Sequence, residues 1–309
     1  MGKLARAYRP LGLLAMIRGL RRAATGVLLL AFTGNGATAT DFPPIGSGGE
    51  HHPGKFIWLD LVTDDLAAAR NFYGAVFGWQ FRSVESAPAS YTVVEHAGRP
   101  IAGMFLHAPP PEKAGGARWL SLISVGDPDQ VARYVKEQGG SIVAPVAALA
   151  GRGTHALFRD PQGALFGVLQ SATGDPPDTP VADGDFFWFD LLAGDPAQAA
   201  EFYREIGGYA LSVREVGEGV TRVMLASGGY ARAGIAALPP AVKHPGWLPY
   251  VLVEDVSGTL DKVRKAGGTV LVEPRAELLD GNLAVITDPR GGVVGLVNWT
   301  QADDAAVTQ

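Results

Sequence analysis

The chain has 309 residues, with 26 Lys or Arg set against 31 Asp or Glu, and it contains no cysteine. Without cysteine there is no disulfide framework, no lipidated N-terminal Cys and no thiol nucleophile. The acidic balance and the lack of any basic patch exclude nucleic-acid binding.

Residues 1–39 hold six Lys or Arg and no acid, then the apolar run from Ala23 to Phe32, then Ala37-Thr38-Ala39. A basic stretch, a short apolar core and an A-x-A site read as a secretory signal peptide cleaved after Ala39. The expected product is exported, periplasmic or secreted, with no membrane insertion once the signal is gone. The apolar run is too short for the ~20 residues that span a bilayer. Arg21-Arg22 leaves a twin-arginine route open beside the general one, and Met16 is an alternative start. Removal of the segment leaves 20 basic residues against 31 acidic, a net charge near −11. Residues 40–52, rich in Gly and Pro, read as a linker.

One pattern then recurs four times. FIWLDLVTDDLAAARNFYGAVFGW (56–79) and FFWFDLLAGDPAQAAEFYREIGGY (186–209) align at an offset of 130 residues, Trp58 on Trp188 and Asp60 on Asp190. A second pair starts at Trp119 and Trp247. Each unit opens with an apolar, aromatic or β-branched run suited to a strand, followed by an Asp and an apolar stripe of helical period. Asp127-Pro128 and Asp195-Pro196 suit helix starts, because the carboxylate accepts from first-turn amides and Pro lacks an N–H that would go unpaired. Gly-Gly at 139–140, 207–208 and 267–268 suits helix ends. In the first unit, three strand-like runs follow near 80–85, 90–96 and 100–107, so the unit reads βαβββ. Two such units make a module of 53–172, and two more a module of 184–300. The stretch 173–183 between them, polar and rich in turn formers, reads as a linker, and 301–309 as a tail. The predicted fold class is α+β.

These residues resemble the vicinal oxygen chelate superfamily of glyoxalase I, bleomycin-resistance proteins and extradiol dioxygenases. The resemblance rests on D-x-x-x-A-x-x-FY-x-x-x-x-G (Asp65 to Gly78, Asp195 to Gly208), the W-L start of each second unit, and DPxG at Asp160–Gly163 and Asp288–Gly291. It covers most of the chain after residue 39 and implies two tandem glyoxalase-like modules, each of two βαβββ units forming a half-barrel with a cavity. It also implies a divalent ion held by His, Gln or Glu. Carried across, the first-strand ligand position falls on Trp58, Leu120, Trp188 and Leu248, and the closing-strand Glu position on Gly103, Gly167, Gly234 and Gly295. None of these side chains offers a lone-pair donor. No cofactor and no metal site are therefore expected, and His51, His52, His96, His107, His155 and His244 read as surface residues.

Alternation along the first strand puts Trp58 and Asp60 on one face, and Trp188 and Asp190 likewise. If that face lines the cavity, the four residues are candidate ligand contacts, and Asp60 and Asp190 candidate catalytic bases. Against this stands a plain structural reading, in which the indoles fill the space of the lost metal and the carboxylates accept buried hydrogen bonds. The expected function is metal-independent binding of a small organic molecule, with a homodimer compatible. The alternative is a lyase, isomerase or dioxygenase using a non-standard metal site or a carboxylate base.

Overall fold

A computed structural model describes residues 42–84, 91–107, 116–217, 220–240, 242–276 and 278–299. The segment read as a signal peptide, residues 1–39, and the tail, 301–309, lie outside these residues. No helix of the described chain is long and apolar enough to cross a membrane.

The first module begins with β1 (Phe56–Thr63), α1 (Leu66–Phe77), β2 (Gln80–Ser83), β3 (Thr92–His96) and β4 (Arg99–Leu106). Its second unit is β5 (Ala117–Ser124), α2 (Pro128–Glu137), β6 (Ser141–Leu149), β7 (Gly153–Arg159) and β8 (Leu165–Ser171). The second module repeats the order. Its first unit is β9 (Phe186–Ala193), α3 (Pro196–Gly207), β10 (Ala210–Gly217), β11 (Val220–Ser227) and β12 (Tyr230–Ala237). Its second is β13 (Gly246–Leu252), α4 (Val256–Lys265), β14 (Thr269–Val272), β15 (Leu283–Thr287) and β16 (Val293–Val297).

Each module forms its own eight-stranded mixed sheet, ordered β2-β3-β4-β1-β5-β8-β7-β6 and β10-β11-β12-β9-β13-β16-β15-β14. This is the α+β, tandem βαβββ architecture read from the sequence. The helix starts form as their residues require. Asp65 caps α1 by accepting from the Ala68 amide, and Asp127 and Asp195 accept from the amides of Asp129 and Gln130, and of Ala197 and Gln198. Gly78 and Gly208 end α1 and α3 at positive φ, 72° and 64°.

The helix-bearing faces of the two sheets share one apolar core, in which Leu59, Leu61, Phe72 and Tyr73 meet Leu191, Phe202, Tyr203 and Val263. Phe56 stacks on Phe189 at 4.1 Å with planes 9° apart. The contacts across this core come in matched pairs. Tyr73 donates to Asp288 and accepts from the Trp119 indole, at 3.0 and 2.8 Å. Tyr203 donates to Asp160 and accepts from Trp247, both at 3.1 Å. Trp79 donates to the Gly184 carbonyl, as Tyr209 does to that of Gly54. The DPxG turns, which the sequence marks only as turns, therefore supply the carboxylates that lock each module to the other's helix. Burial raises the pKa of both Asp160 and Asp288 against the hydrogen bonds that lower it.

The two stretches that composition marks as linkers are both packed. Asp175 accepts from the His52 amide and the Ser124 hydroxyl, at 2.6 Å each. Asp178 receives Lys55 at 2.8 Å and both terminal nitrogens of Arg232, at 2.6 and 2.9 Å. Burial works to raise the Asp178 pKa, but the hydrogen bonds and charges of Arg232 and Lys55 outweigh it and hold the group far below the usual carboxylate range. A depressed folded-state pKa contributes stability above the unfolded value near 3.8 that is lost as pH falls towards the folded value. The raised Asp160 and Asp288 act with the opposite sign but are common to wild type and variant. Thermal melts from neutral pH down to about pH 2 should therefore show Asp178→Asn less stable than wild type at neutrality, with the difference shrinking below the unfolded carboxylate range.

Candidate functional site

The face of each sheet opposite the shared core, here termed its cup, carries a separate apolar cluster, and Trp58 with Asp60, and Trp188 with Asp190, lie on it as the strand alternation predicts. A bulge between Phe56 and Trp58 turns Ile57 to the same side. In the first cup the Trp58 indole donates to Asp60 Oδ1 at 3.1 Å. The Tyr91 hydroxyl donates to the same oxygen at 2.7 Å, and Arg152 Nη1 donates to Tyr91 at 2.8 Å. Burial, with the Asp60 carboxylate beside it, pushes the Tyr91 hydroxyl well above its ordinary pKa, so it stays a donor. The Arg152 guanidinium carbon lies 4.6 Å from the Trp58 ring centroid and 5.1 Å from that of Tyr91. Arg152 comes from the β6–β7 turn, between Gly151 and Gly153, where no periodicity marks it.

The second cup has the same frame with one exchange. Strand register puts Val93 opposite Gly103 and Met224 opposite Gly234, so Tyr91 and Arg222, each two residues earlier, are equivalent. Trp188 donates to Asp190 Oδ1 at 2.9 Å, and Arg222 Nη1 lies 3.2 Å from the same oxygen. The wall is Leu248, Tyr250, Leu252, Leu279, Leu283 and Val297, with Phe187, Trp188, Val285, Val293 and Trp299 only half-buried around it. Leu279 and Asp280, beside the cup, both hold positive φ, 51° and 52°, a conformation that side chains other than Gly adopt rarely.

The first cup is closed from within. Phe42 and Ile45, from the segment read as a linker, are buried against Trp58 and Tyr91. Phe42 meets Tyr91 edge-on at 5.0 Å. Trp58 is accordingly 2% exposed, whereas Trp188 is half-buried. The two cups therefore differ both in what borders the Trp–Asp pair, Tyr91 with Arg152 in the first and Arg222 in the second, and in the Phe42–Ile45 cover that the first carries.

The donors present do not fit the divalent ion that the resemblance implies. Gly103 faces Asp60 in the sheet, and a Cβ on it would stand 1.9 Å from the Tyr91 hydroxyl and 2.2 Å from Asp60 Oδ1. The space for a Glu there is taken by the hydroxyl and carboxylate themselves. At Gly167 the space belongs to Leu122, at Gly295 to Tyr250, and at Gly234 to Asp190 and Arg222. Among the described residues no three His, Asp or Glu gather as a metal site. The histidines do not all lie on the surface, however. His155 is buried on β7 against the Ala147 carbonyl, and burial lowers its pKa. His96 pairs with Asp185 at 2.8 Å, beside Arg99.

Residues 55–168 and 186–295 match the model of the Glyoxalase/Bleomycin resistance protein/Dioxygenase superfamily. The chain belongs to that superfamily. Among curated relatives, "Putative glyoxylase CFP32" of Mycobacterium tuberculosis is 29% identical over 251 residues, covering 80% of this chain and 96% of that protein. "Anthracycline biosynthesis protein DnrV" of Streptomyces peucetius is 28% identical over 267 residues, 82% of this chain and 96% of that one. Among solved structures, the Mn(II)-bound glyoxalase of Novosphingobium aromaticivorans superposes with a TM-score of 0.55 at 15% identity, covering 80% of this chain and 82% of that one. The 2,3-dioxygenase LapB of Pseudomonas sp. KL28 superposes with a TM-score of 0.54 at 14% identity, covering 82% and 94%. At those identities the likeness is one of fold.

Proposed function

We propose that this superfamily member is exported and binds a small aromatic organic molecule in the cup of its second module without a metal. The observation that carries this reading is the set of half-buried aromatic side chains Phe187, Trp188 and Trp299 packed against the apolar wall, with the Asp190–Arg222 ion pair bonded to the Trp188 indole. An apolar, aromatic lining with a few placed polar groups is the usual makeup of a small-molecule site. The strained turn at Leu279 and Asp280 beside it adds support, since such backbone concentrates at binding sites. Sequestration needs shape and apolar contact, which the wall supplies. The anthracycline-biosynthesis relative is consistent with a flat, polycyclic aromatic ligand. Export rests on the basic and apolar N-terminal segment with its A-x-A site.

Titration with anthraquinone sulfonate in chelator-treated buffer, followed by tryptophan fluorescence and native mass spectrometry, tests the reading. Saturable binding is expected in wild type. Trp188→Ala should weaken it about tenfold or more, the scale of losing one aromatic anchor. If neither this probe nor a broad panel of aromatic metabolites binds, or if binding requires an added divalent ion, the proposal fails.

A further inference from the structure

Arg152 is 1% exposed, and the ring centroids of Phe42, Trp58 and Tyr91 lie 5.1, 4.6 and 5.1 Å from its guanidinium carbon. Its Nη1 is well used on Tyr91. Its Nε and Nη2 both reach for one neutral carbonyl, that of Pro43, at 3.4 and 3.3 Å. These exceed the usual 2.7–3.2 Å of a good N–H···O bond, and a carboxylate is the acceptor that a guanidinium fork matches best. The cup thus holds a fixed, buried cation served by a makeshift partner.

What covers that cation is built like a ligand. Phe42 brings an aromatic ring against Tyr91 and the guanidinium, and Pro43 brings the acceptor oxygen. The Phe42 amide donates to the Ala150 carbonyl at 2.9 Å. The covering segment, from Phe42 to the start of β1, contributes no strand and no helix. It is tied down behind the cup by a separate clamp, in which the Thr173 hydroxyl donates to the Gly46 carbonyl and the Gly49 amide to the Thr173 carbonyl.

We propose that the first module's cup is a second ligand site, held shut by residues 42–45 as an intramolecular stand-in, and that it takes aryl compounds carrying a carboxylate. The aryl group takes the place of the Phe42 ring between Tyr91 and Arg152, and the carboxylate takes both fork nitrogens in place of the Pro43 carbonyl. Asp60, already served by Trp58 and Tyr91, stays the floor of the site. A site whose open form is a small fraction of the population binds with its affinity reduced by that fraction, so opening the cover raises apparent affinity directly.

The test uses the full chain in two variants that loosen the cover by different routes. Phe42→Ala/Ile45→Ala removes the inserted side chains. Gly46→Val leaves them in place but levers the segment off its clamp, because a Cβ there would stand 2.4 Å from the Gly174 carbonyl oxygen. Calorimetric titration with N-acetylphenylalanylproline and with phenylbutyrate should show a site in either variant about tenfold or more tighter than in wild type. N-acetylalanylproline, which lacks the ring, should show no such gain. Folded variants without a gain, an equal gain for the ringless peptide, or loss of folding in both would overturn the proposal and make residues 42–45 a permanent part of the core. The reading is the difference between variant and wild type, so it stands or falls independently of binding in the second cup.

Discussion

Gly103→Ala should destabilise the first module by about 3 kcal/mol or more, the upper range for overpacking a filled core. Its added carbon falls within 2.4 Å of three atoms, the Tyr91 hydroxyl oxygen, Asp60 Oδ1 and the ring carbon bearing that hydroxyl. None of these can retreat freely. Asp60 is held by two donors and Tyr91 by Arg152, and Arg152 is enclosed by Phe42, Trp58 and Tyr91. The matching change in the second module, Gly234→Ala, should cost clearly less, about 1 kcal/mol. There the nearest atoms are Asp190 Oδ1 at 2.6 Å and the Arg222 Cδ at 3.0 Å, and the methylenes of an arginine stem can give way. Urea unfolding of both variants checks the pair. Equal and small effects would show that the Asp60–Tyr91–Arg152 network is loose, and would remove the reason offered for glycine at the closing-strand position.

Tyr73→Phe combined with Tyr203→Phe should uncouple the modules. Each hydroxyl donates to a buried carboxylate and accepts from a tryptophan of its own module, so its removal strands both partners. Burial, with the facing carboxylate next in weight, pushes both hydroxyls well above the ordinary tyrosine range, which keeps them donors at any working pH. Loss of a hydrogen bond to a charged group, with a buried N–H left unpaired, amounts to about 2 kcal/mol or more per site. The two sites share no hydrogen-bond partner, so their costs should add to a first approximation. Urea unfolding should shift to lower midpoints in each single variant and, in the double variant, separate into two transitions. A single transition with wild-type midpoint would mean that the apolar core alone holds the modules together and the latches contribute nothing.

Much of this molecule was legible because its information is local. The aligned Trp-x-Asp strands, the Asp caps before Pro128 and Pro196, and the glycines that end α1 and α3 are set by neighbours within a few positions, so repetition made them readable. The shared face of Trp58 with Asp60, and of Trp188 with Asp190, followed from strand alternation alone. Arg222 and Tyr91 could have been found the same way, by aligning the third strands of the two first units, but residues of different chemistry at one repeat position carry no pattern of their own. His155 gave no signal of burial, because a histidine on a strand between Thr154 and Ala156 alternates as well outward as inward.

What the sequence determined by itself is the repeated βαβββ unit, its doubling into two modules, and side chains at the family's ligand positions that cannot grip an ion. Those follow from periodicity and from side-chain chemistry, neither of which needs to know where distant segments go. Only the tertiary structure decided that the modules share a core through Tyr73–Asp288 and Tyr203–Asp160, and that Phe42 and Pro43 fill one cup while the other keeps a half-buried aromatic wall. Such pairings join residues far apart in the chain, 215 positions for Tyr73 and Asp288, and are selected by which surfaces exclude water together. A Gly- and Pro-rich lead carries no period from which that choice could be read.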